Sequence, residues 1–205
     1  MYLNSMIMKS YFVVLILLLY TAKVFAQTDT LNTQNTRLGN YNVKQAFEVE
    51  SLVPMFLTNG YHFAIGYRYH QFRIRASVIN GGSYNAEPAG LKNASDDFKR
   101  FYKTSPGIFL GYNIWKNLEL YTFLEMHTFA IEQKSTGIQH NIRSNDFGGG
   151  ISYQFFIGRY FYVQPGVHLY LRGNESMDFN GIKYNIPTAD FSPVLRLGVR
   201  LWRKY

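Results

Sequence analysis

A two-residue alternation of apolar and polar side chains constrains the fold of this chain more than any other feature. From Tyr61 to Tyr69, every odd position carries Tyr, Phe or Ile, and the even positions include His and Arg. Successive side chains of a β-strand point to opposite faces, so this period predicts a strand with one apolar face. The same alternation returns in 72–78 and in 195–201. The sequence therefore predicts a protein built from amphipathic strands.

The alternation predicts eight strands. They cover 46–57, 61–69, 72–80, 105–115, 118–132, 145–157, 160–172 and 191–203. Tight connections are expected at His70–Gln71, Lys116–Asn117 and Gly158–Arg159. Long connections are expected at 81–104, 133–144 and 173–190. Tight and long connections in alternation favour an all-β fold, an eight-stranded antiparallel up-and-down barrel with the tight turns at one end.

The polar faces of these strands indicate the solvent around the barrel. A soluble barrel turns its apolar face inward, whereas a transmembrane barrel turns it outward to lipid. Here the polar faces combine opposite charges with many glycines, which suits a crowded, narrow lumen. We therefore predict a transmembrane barrel filled by side chains. The predicted lumen charge network comprises Glu48, Glu50, Arg68, Arg73, Arg75, Glu119, Glu125, Arg196 and Arg200.

Aromatic residues, 18% of the chain, are expected to mark the two rims of such a barrel. Those assigned to the rim with the tight turns are Tyr112, Trp115, Tyr160, Phe161, Tyr162, Trp202 and Tyr205. Those assigned to the opposite rim are Phe56, Tyr61, Phe129, Tyr170 and Phe191.

The first 26 residues have the pattern of a secretory signal peptide. Lys9 precedes an apolar run at 11–20, and the small residue Ala26 ends the segment. An uncleaved anchor helix is the alternative, but ten apolar residues fall short of the ~20 that span a membrane. The polar segment 27–44 is predicted to be a flexible periplasmic leader, and 45–205 the barrel. We therefore predict export to the bacterial outer membrane, with both termini periplasmic.

Charge and cysteine content narrow the possible partners. The net charge is +8, or +6 once Lys9 and Lys23 are removed with the signal peptide. An exported basic protein is expected to meet outer-membrane lipid and lipopolysaccharide, and no nucleic acid. The chain has no cysteine, which excludes disulfides and thiol chemistry. The long connection 81–104 could bind an extracellular ligand, since external loops commonly carry barrel function.

The alternating strands and the ending Leu195-Arg196-Leu197-Gly198-Val199-Arg200-Leu201-Trp202-Arg203-Lys204-Tyr205 resemble small bacterial outer-membrane β-barrel proteins of the OmpA-barrel and OmpX type. The resemblance covers most of 45–205. It implies that the terminal aromatic Tyr205, preceded by alternating apolar residues, is an assembly signal for the barrel assembly machinery. Arg203 departs from the family pattern, and Tyr stands where Phe is usual.

Four residues predicted to face inward could take part in catalysis: Glu125, His127, Ser152 and His168. A hydrolase or acyltransferase needs a nucleophile oriented by a base, and a base oriented by a carboxylate. Glu125 and His127 share a strand, and the sequence does not show a complete constellation of this kind. These residues are therefore weak catalytic candidates.

No metal site or cofactor is predicted. The period assigns His62, His70, His127 and His168 to the inward face, but their spacing follows no zinc signature. Inward imidazoles hydrogen-bonded to Glu or Tyr fit the pattern better.

The sequence is compatible with three functions. The favoured one is a non-enzymatic barrel that has a structural role or binds through its loops. The second is a barrel enzyme that modifies lipid A or phospholipid. The third is an accessory component of an envelope assembly or secretion machine.

Overall fold

The computed structural model describes residues 41–85, 97–173, 175–179 and 181–205. The predicted signal peptide, the leader up to residue 40 and the centre of the 81–104 connection lie outside these residues. Of the predicted leader, Val43 is buried and the backbone N–H of Lys44 donates to the carbonyl of Lys204.

The described residues form eleven strands and one short helix. In chain order they are β1 (Gln45–Leu52), α1 (Val53–Leu57), β2 (Tyr61–Tyr69), β3 (Phe72–Asn85), β4 (Phe98–Trp115), β5 (Leu118–Gln133), β6 (Ile138–Tyr153), β7 (Phe155–Ile157), β8 (Phe161–Leu171), β9 (Ser176–Phe179), β10 (Ile182–Asn185) and β11 (Ala189–Lys204). No helix in the ranges 41–85, 97–173, 175–179 and 181–205 is long and apolar enough to cross a membrane.

The barrel closes through antiparallel pairing of consecutive strands. β6 and β7 are one wall strand interrupted at Gln154, and both pair with β8. β11 pairs with β8 on one side and with β1 on the other, which closes the sheet. This confirms the predicted fold class, an eight-stranded antiparallel up-and-down barrel.

The two ends of the barrel differ in their connections. Gln45 lies opposite both Lys204 and Tyr69, so the start of β1 and the end of β11 share one end with the tight turns. Lys116 and Gly158 adopt positive φ of 48° and 66° in two of these turns. We call this the tight-turn end and the opposite one the extended end, because β4, β5 and β6 project there.

Several sequence predictions about the extended end are wrong in detail. β1 ends at Leu52, and 53–57 forms α1, whose first turn contains Pro54, a residue that removes a ladder N–H. The predicted loop 133–144 is largely strand, because β5 and β6 continue to a short turn. The predicted loop 173–190 contains the β9–β10 hairpin. Strands β3 and β4 likewise extend into the predicted loop 81–104.

The barrel wall is apolar outside and polar inside over most of its height. The outward side chains of Ile65, Leu110 and Leu197 are 59%, 55% and 51% exposed. Inward side chains include fully buried charged groups such as Glu48 and Arg200. This arrangement is the reverse of a water-soluble barrel.

Toward the extended end the polarity of the two faces inverts. Along β5 the outward residues Leu120, Leu124 and Met126 are exposed, and they are followed by the outward residues Thr128 and Glu132. Past the same level the inward residues become apolar, with Phe129 and Ile131 fully buried. We call the level of Thr128 the polarity boundary.

Three predicted rim aromatics and one predicted inward histidine are placed differently. Tyr162 and Phe129 point into the barrel and are 1% and 0% exposed. Tyr170 also points inward, where its ring lies 5.0 Å from that of Phe123. His70 lies in the tight turn after β2, with φ of 51°, and is exposed. A turn residue with positive φ leaves the strand alternation, so its position in the two-residue period did not predict its facing.

Candidate functional site in the barrel lumen

Arg73 is the centre of an ion-pair network inside the barrel. Its guanidinium contacts three carboxylates, those of Glu48 and Glu50 at 2.7 Å and that of Glu119 at 3.1 Å. Arg75 bridges Glu50 at 3.1 Å and Glu119 at 3.0 Å. The network therefore links β1, β3 and β5 across the lumen.

Strand β11 and strand β2 supply the remaining cations. Arg200 lies 2.7 Å from Glu48, and Arg196 lies 3.3 Å from Glu50. Arg68 lies 3.8 Å from Glu48. The structure thus brings eight of the nine predicted lumen residues into one cluster, which we call the central network.

The central network has five arginines and three glutamates, and neutral partners complete their hydrogen bonds. Arg68 donates to the side-chain carbonyls of Asn113 and Gln154 at 2.7 and 2.8 Å. Arg73 donates to Tyr162 Oη at 2.8 Å and to Gln164 at 3.1 Å. Buried charges are tolerated only when paired and hydrogen-bonded, so these neutral acceptors are part of what stabilises the lumen.

Inward aromatic rings contribute further to the arginine environment. The guanidinium carbons of Arg75 and Arg196 lie 5.0 and 5.3 Å from the ring centroid of Tyr121, and both distances are within the ~6 Å range of a cation–π interaction. Arg200 lies 4.3 Å from the ring of Phe156. The central network has two more arginines than glutamates, and the aromatic faces stabilise this excess positive charge.

Inward glycines make room for these large side chains. A Cβ at Gly111 would collide with the carboxylate of Glu119, and a Cβ at Gly198 would collide with the ring of Tyr162. A Cβ at Gly107 would lie 2.8 Å from Cγ of Glu125. The glycines of the polar face therefore fit a lumen that is already filled, as expected for eight strands.

Glu125 lies apart from the central network. It follows Glu119 by six residues on β5, which is ~20 Å along a strand. Its carboxylate lies 3.6 Å from Nε2 of His127, and among the described residues it makes no ion pair with an arginine. The ninth predicted network residue thus belongs to a second cluster near the extended end.

Asp146 is the centre of this second cluster. It lies 2.9 Å from Nδ1 of His127, accepts from Ser144 Oγ at 2.6 Å and pairs with the guanidinium of Arg172. All four side chains are buried. The sequence interpretation missed Asp146, Ser144 and Arg172, although the two-residue period of 144–152 would have placed the first two inward.

The four catalytic candidates do not form a triad. Ser152 Oγ accepts from Gln164 at 2.7 Å. The two ring nitrogens of His168 lie 2.7 Å from Arg196 and 3.0 Å from Tyr170 Oη. Among the described residues no hydrogen bond joins Ser152 to His127 or His168. A nucleophile–base pair is therefore not assembled from these candidates.

Within residues 41–85, 97–173, 175–179 and 181–205, no group of three or more His, Cys, Asp or Glu side chains could hold a metal ion. The lumen chemistry present is ion pairing and hydrogen bonding among buried groups.

An apolar cluster closes the extended end above the second cluster, and we call it the apolar cap. Its buried members are Phe98, Phe129, Ile131, Ile142, Phe179, Tyr184 and Ile186. The β9–β10 hairpin contributes Phe179 and Tyr184, whose rings lie 5.3 and 5.2 Å from that of Phe98. The hairpin thus packs onto the inward faces of β4, β5 and β6.

The solved structures that are similar to this chain include the following two. The crystal structure of the N-terminal beta-barrel domain of Pseudomonas aeruginosa OprF is 13% identical, with 77% of this chain and 97% of that chain covered and a TM-score of 0.41. The crystal structure of Neisserial surface protein A (NspA) is 11% identical, with 77% and 95% covered and a TM-score of 0.43. No protein-family model and no curated protein matches the chain.

Proposed function

We propose that this protein is an integral bacterial outer-membrane barrel with a non-conducting lumen and a non-enzymatic role, which is structural or exercised by its extended end. The main support for this proposal is the central network, which fills the interior of a barrel whose outer wall is apolar. A wall of this polarity is stable in lipid and not in water.

Two features support a closed lumen. Arg73 spans the interior to reach carboxylates on β1 and β5, and it is 2% exposed. The apolar cap covers the extended end with the β9–β10 hairpin. A solute would have to displace both, so the barrel conducts little or no current on this proposal.

The orientation follows from the connections. Outer-membrane barrels place short turns in the periplasm and longer segments outside. The tight-turn end, with both ends of the barrel sequence, is therefore assigned to the periplasm and the extended end to the exterior. The β11 strand before Tyr205 is then positioned for the barrel assembly machinery, and 81–104 for an extracellular ligand.

Planar-bilayer recording tests the closed lumen. The purified protein is expected to show no steady conductance, while its heat-modifiable gel mobility reports that it is folded. Large, stable channels from folded protein would contradict the proposal. Membrane fractionation of cells tests the location separately, and recovery in the soluble periplasmic fraction would overturn it.

The proposed non-enzymatic role needs its own experiment. Lipid A and phospholipids from a deletion strain and its parent are expected to have the same mass spectra. Loss of an acylated or deacylated species on deletion, restored by the intact gene, would favour the barrel-enzyme alternative.

A further inference from the structure

A row of polar side chains crosses the outer wall at the polarity boundary. Thr128 of β5 pairs with Arg143 of β6. On the other side of β5, Lys103 of β4 follows Tyr102, which pairs with Phe129, and it lies at the start of a β-bulge where the β4–β5 register shifts. Lys103 and Arg143 therefore lie on the two strands that flank Thr128, roughly 10 Å apart at a strand spacing of ~4.8 Å. Two cations thus flank one hydroxyl on the outward face.

The two cations of this row have no anionic partner among the described residues. Lys103 and Arg143 are exposed, and neither forms an ion pair there. Lys103 Nζ lies 5.3 Å from the ring centroid of Phe101, which favours one position of the ammonium group. By contrast, Lys99 lies directly opposite Glu132, four residues farther out on the same face.

An apolar surface begins below the row, past the outward pair of Met126 and Asn145. Ile108, Leu124 and Phe147 form a cross-strand row on β4, β5 and β6, and each is about half exposed. Farther along β6, Gly149 has no side chain and leaves a groove of about 470 Å³ lined by Leu120, Ile151, Leu169 and Phe191 among others. Gly149 follows Arg143 by six residues, ~20 Å along the strand.

We propose that Lys103, Thr128 and Arg143 bind the phosphate of a phosphorylated outer-leaflet lipid whose acyl chain lies along β6 toward the Gly149 groove. The inference rests on the proposed membrane position, since only then does the row stand at headgroup level. Both cations can approach an anion there, and the hydroxyl of Thr128 can donate to it. The apolar groove below selects a lipid phosphate over a free one.

The test is lipid retention measured by native mass spectrometry. Folded protein is released from micelles that contain equal amounts of diphosphorylated lipid A and the same lipid A with its phosphates removed. The wild-type protein is expected to retain the phosphorylated form preferentially. The K103Q/R143Q double variant is expected to lose about 10- to 30-fold in that preference, since each cation near a lipid surface contributes ~1 kcal/mol.

A matched variant removes the same charge elsewhere. K116Q/K183Q changes an exposed lysine at the tight-turn end and another on β10, and it is expected to keep the wild-type preference. Gly149→Leu fills the groove and is expected to reduce retention of both lipids equally. Gel mobility establishes that each variant is folded, which separates failure of this site from failure of the barrel to insert.

Three outcomes would overturn the assignment. One is equal retention of the two lipids by the wild-type protein. Another is an equal loss of preference in K103Q/R143Q and K116Q/K183Q, which would indicate a general charge effect. The third is release of the phosphorylated lipid by excess inorganic phosphate alone, which would indicate a free-anion site.

Discussion

The central network and the apolar cap are built from the same strands by opposite rules. On β5, Glu119 points inward into the central network while Leu120 points outward. Beyond the polarity boundary, Ile131 points inward into the cap while Glu132 points outward. One strand therefore changes which of its faces is polar as it passes Thr128. The surroundings of the wall, lipid below and water above on the proposed placement, account for the change.

The two regions also differ in what holds them together. A wall surrounded by lipid gains little from burying more apolar side chains, so ion pairs and hydrogen bonds hold most of its interior, beside a small aromatic cluster of Phe109, Tyr121 and Phe123. The cap gains from the hydrophobic effect, which requires water outside. The comparison predicts that substitutions in the central network affect the whole barrel, whereas substitutions in the cap act locally.

The largest effect is expected for Arg73→Ala. Removing this guanidinium leaves Glu48, Glu50 and Glu119 buried with fewer cations, and breaking a buried pair typically costs ~3–5 kcal/mol. Urea unfolding in lipid vesicles measures the free energy of unfolding. Arg159→Ala, in an exposed tight turn, is the control and should change it by less than ~0.5 kcal/mol. Equal losses in both variants would show that the ion pairs add no stability.

A somewhat smaller effect is expected for Leu124→Arg. Leu124 is outward on β5, 45% exposed and below the polarity boundary. An arginine there would face lipid, so the free energy of unfolding should fall by ~2–4 kcal/mol. Asn141→Arg places the same side chain on the outward face of β6 beyond the boundary, where ~0–1 kcal/mol is expected. Leu197→Arg on β11 should behave like Leu124→Arg. An equal change in the free energy of unfolding for Leu124→Arg and Asn141→Arg would contradict the polarity boundary.

A local effect is expected for Phe179→Ala in the cap. Phe179 is 1% exposed and packs on Phe98, so its truncation should weaken hairpin docking by ~3 kcal/mol. Limited proteolysis should then cut 176–185 faster by roughly 100-fold, since 1.4 kcal/mol is a factor of ten. The barrel unfolding free energy should change by less than ~1 kcal/mol. Ile182→Ala, exposed on the same hairpin, is the control. Unfolding of the barrel together with the hairpin would show that the two regions are one cooperative unit.

The central network was accessible to sequence analysis because one period extends through every strand below the boundary. Glu48, Glu50, Arg73 and Arg75 occupy alternate positions among apolar residues, so their common facing could be predicted. The aromatic residue Tyr162 could not be assigned in the same way, since a ring suits a rim, a lipid face or a lumen that contains arginine.

The extended end was predicted less well because its polarity is inverted. Gln139, Asn141 and Arg143 are outward residues of β6, but several polar residues within a few positions predict a loop, here 133–144. The apolar run 53–57 that forms α1 has no clear period, so the sequence does not distinguish it from a continuation of the preceding strand. Asp146 lies within the predicted strand 145–157 and shares the parity of Ser152, so the two-residue period alone places it inward.

The smallest effect is expected at the turn between β5 and β6, where Asp97 anchors the chain outside the proposed membrane. Its carboxylate accepts from the backbone N–H and Oγ of Ser135, both at 2.8 Å, and from Nε2 of Gln133 at 3.0 Å. The hydrogen bonds from Ser135 and Gln133 lower the pKa of Asp97 below its ordinary 3.8. The folded carboxyl is therefore the stronger acid, so its contribution to the stability of the turn is present above pH 3.8 and is lost as the pH falls through the folded pKa.

Hydrogen-exchange protection of the Ser135 amide should thus be constant near neutral pH and decline only in that acid range. Asp97→Asn should give the low protection at every pH, while Asp178→Asn, on the β9–β10 hairpin, should leave the Ser135 profile unchanged. An Asp97→Asn profile that still declines in acid would assign the decline to another group.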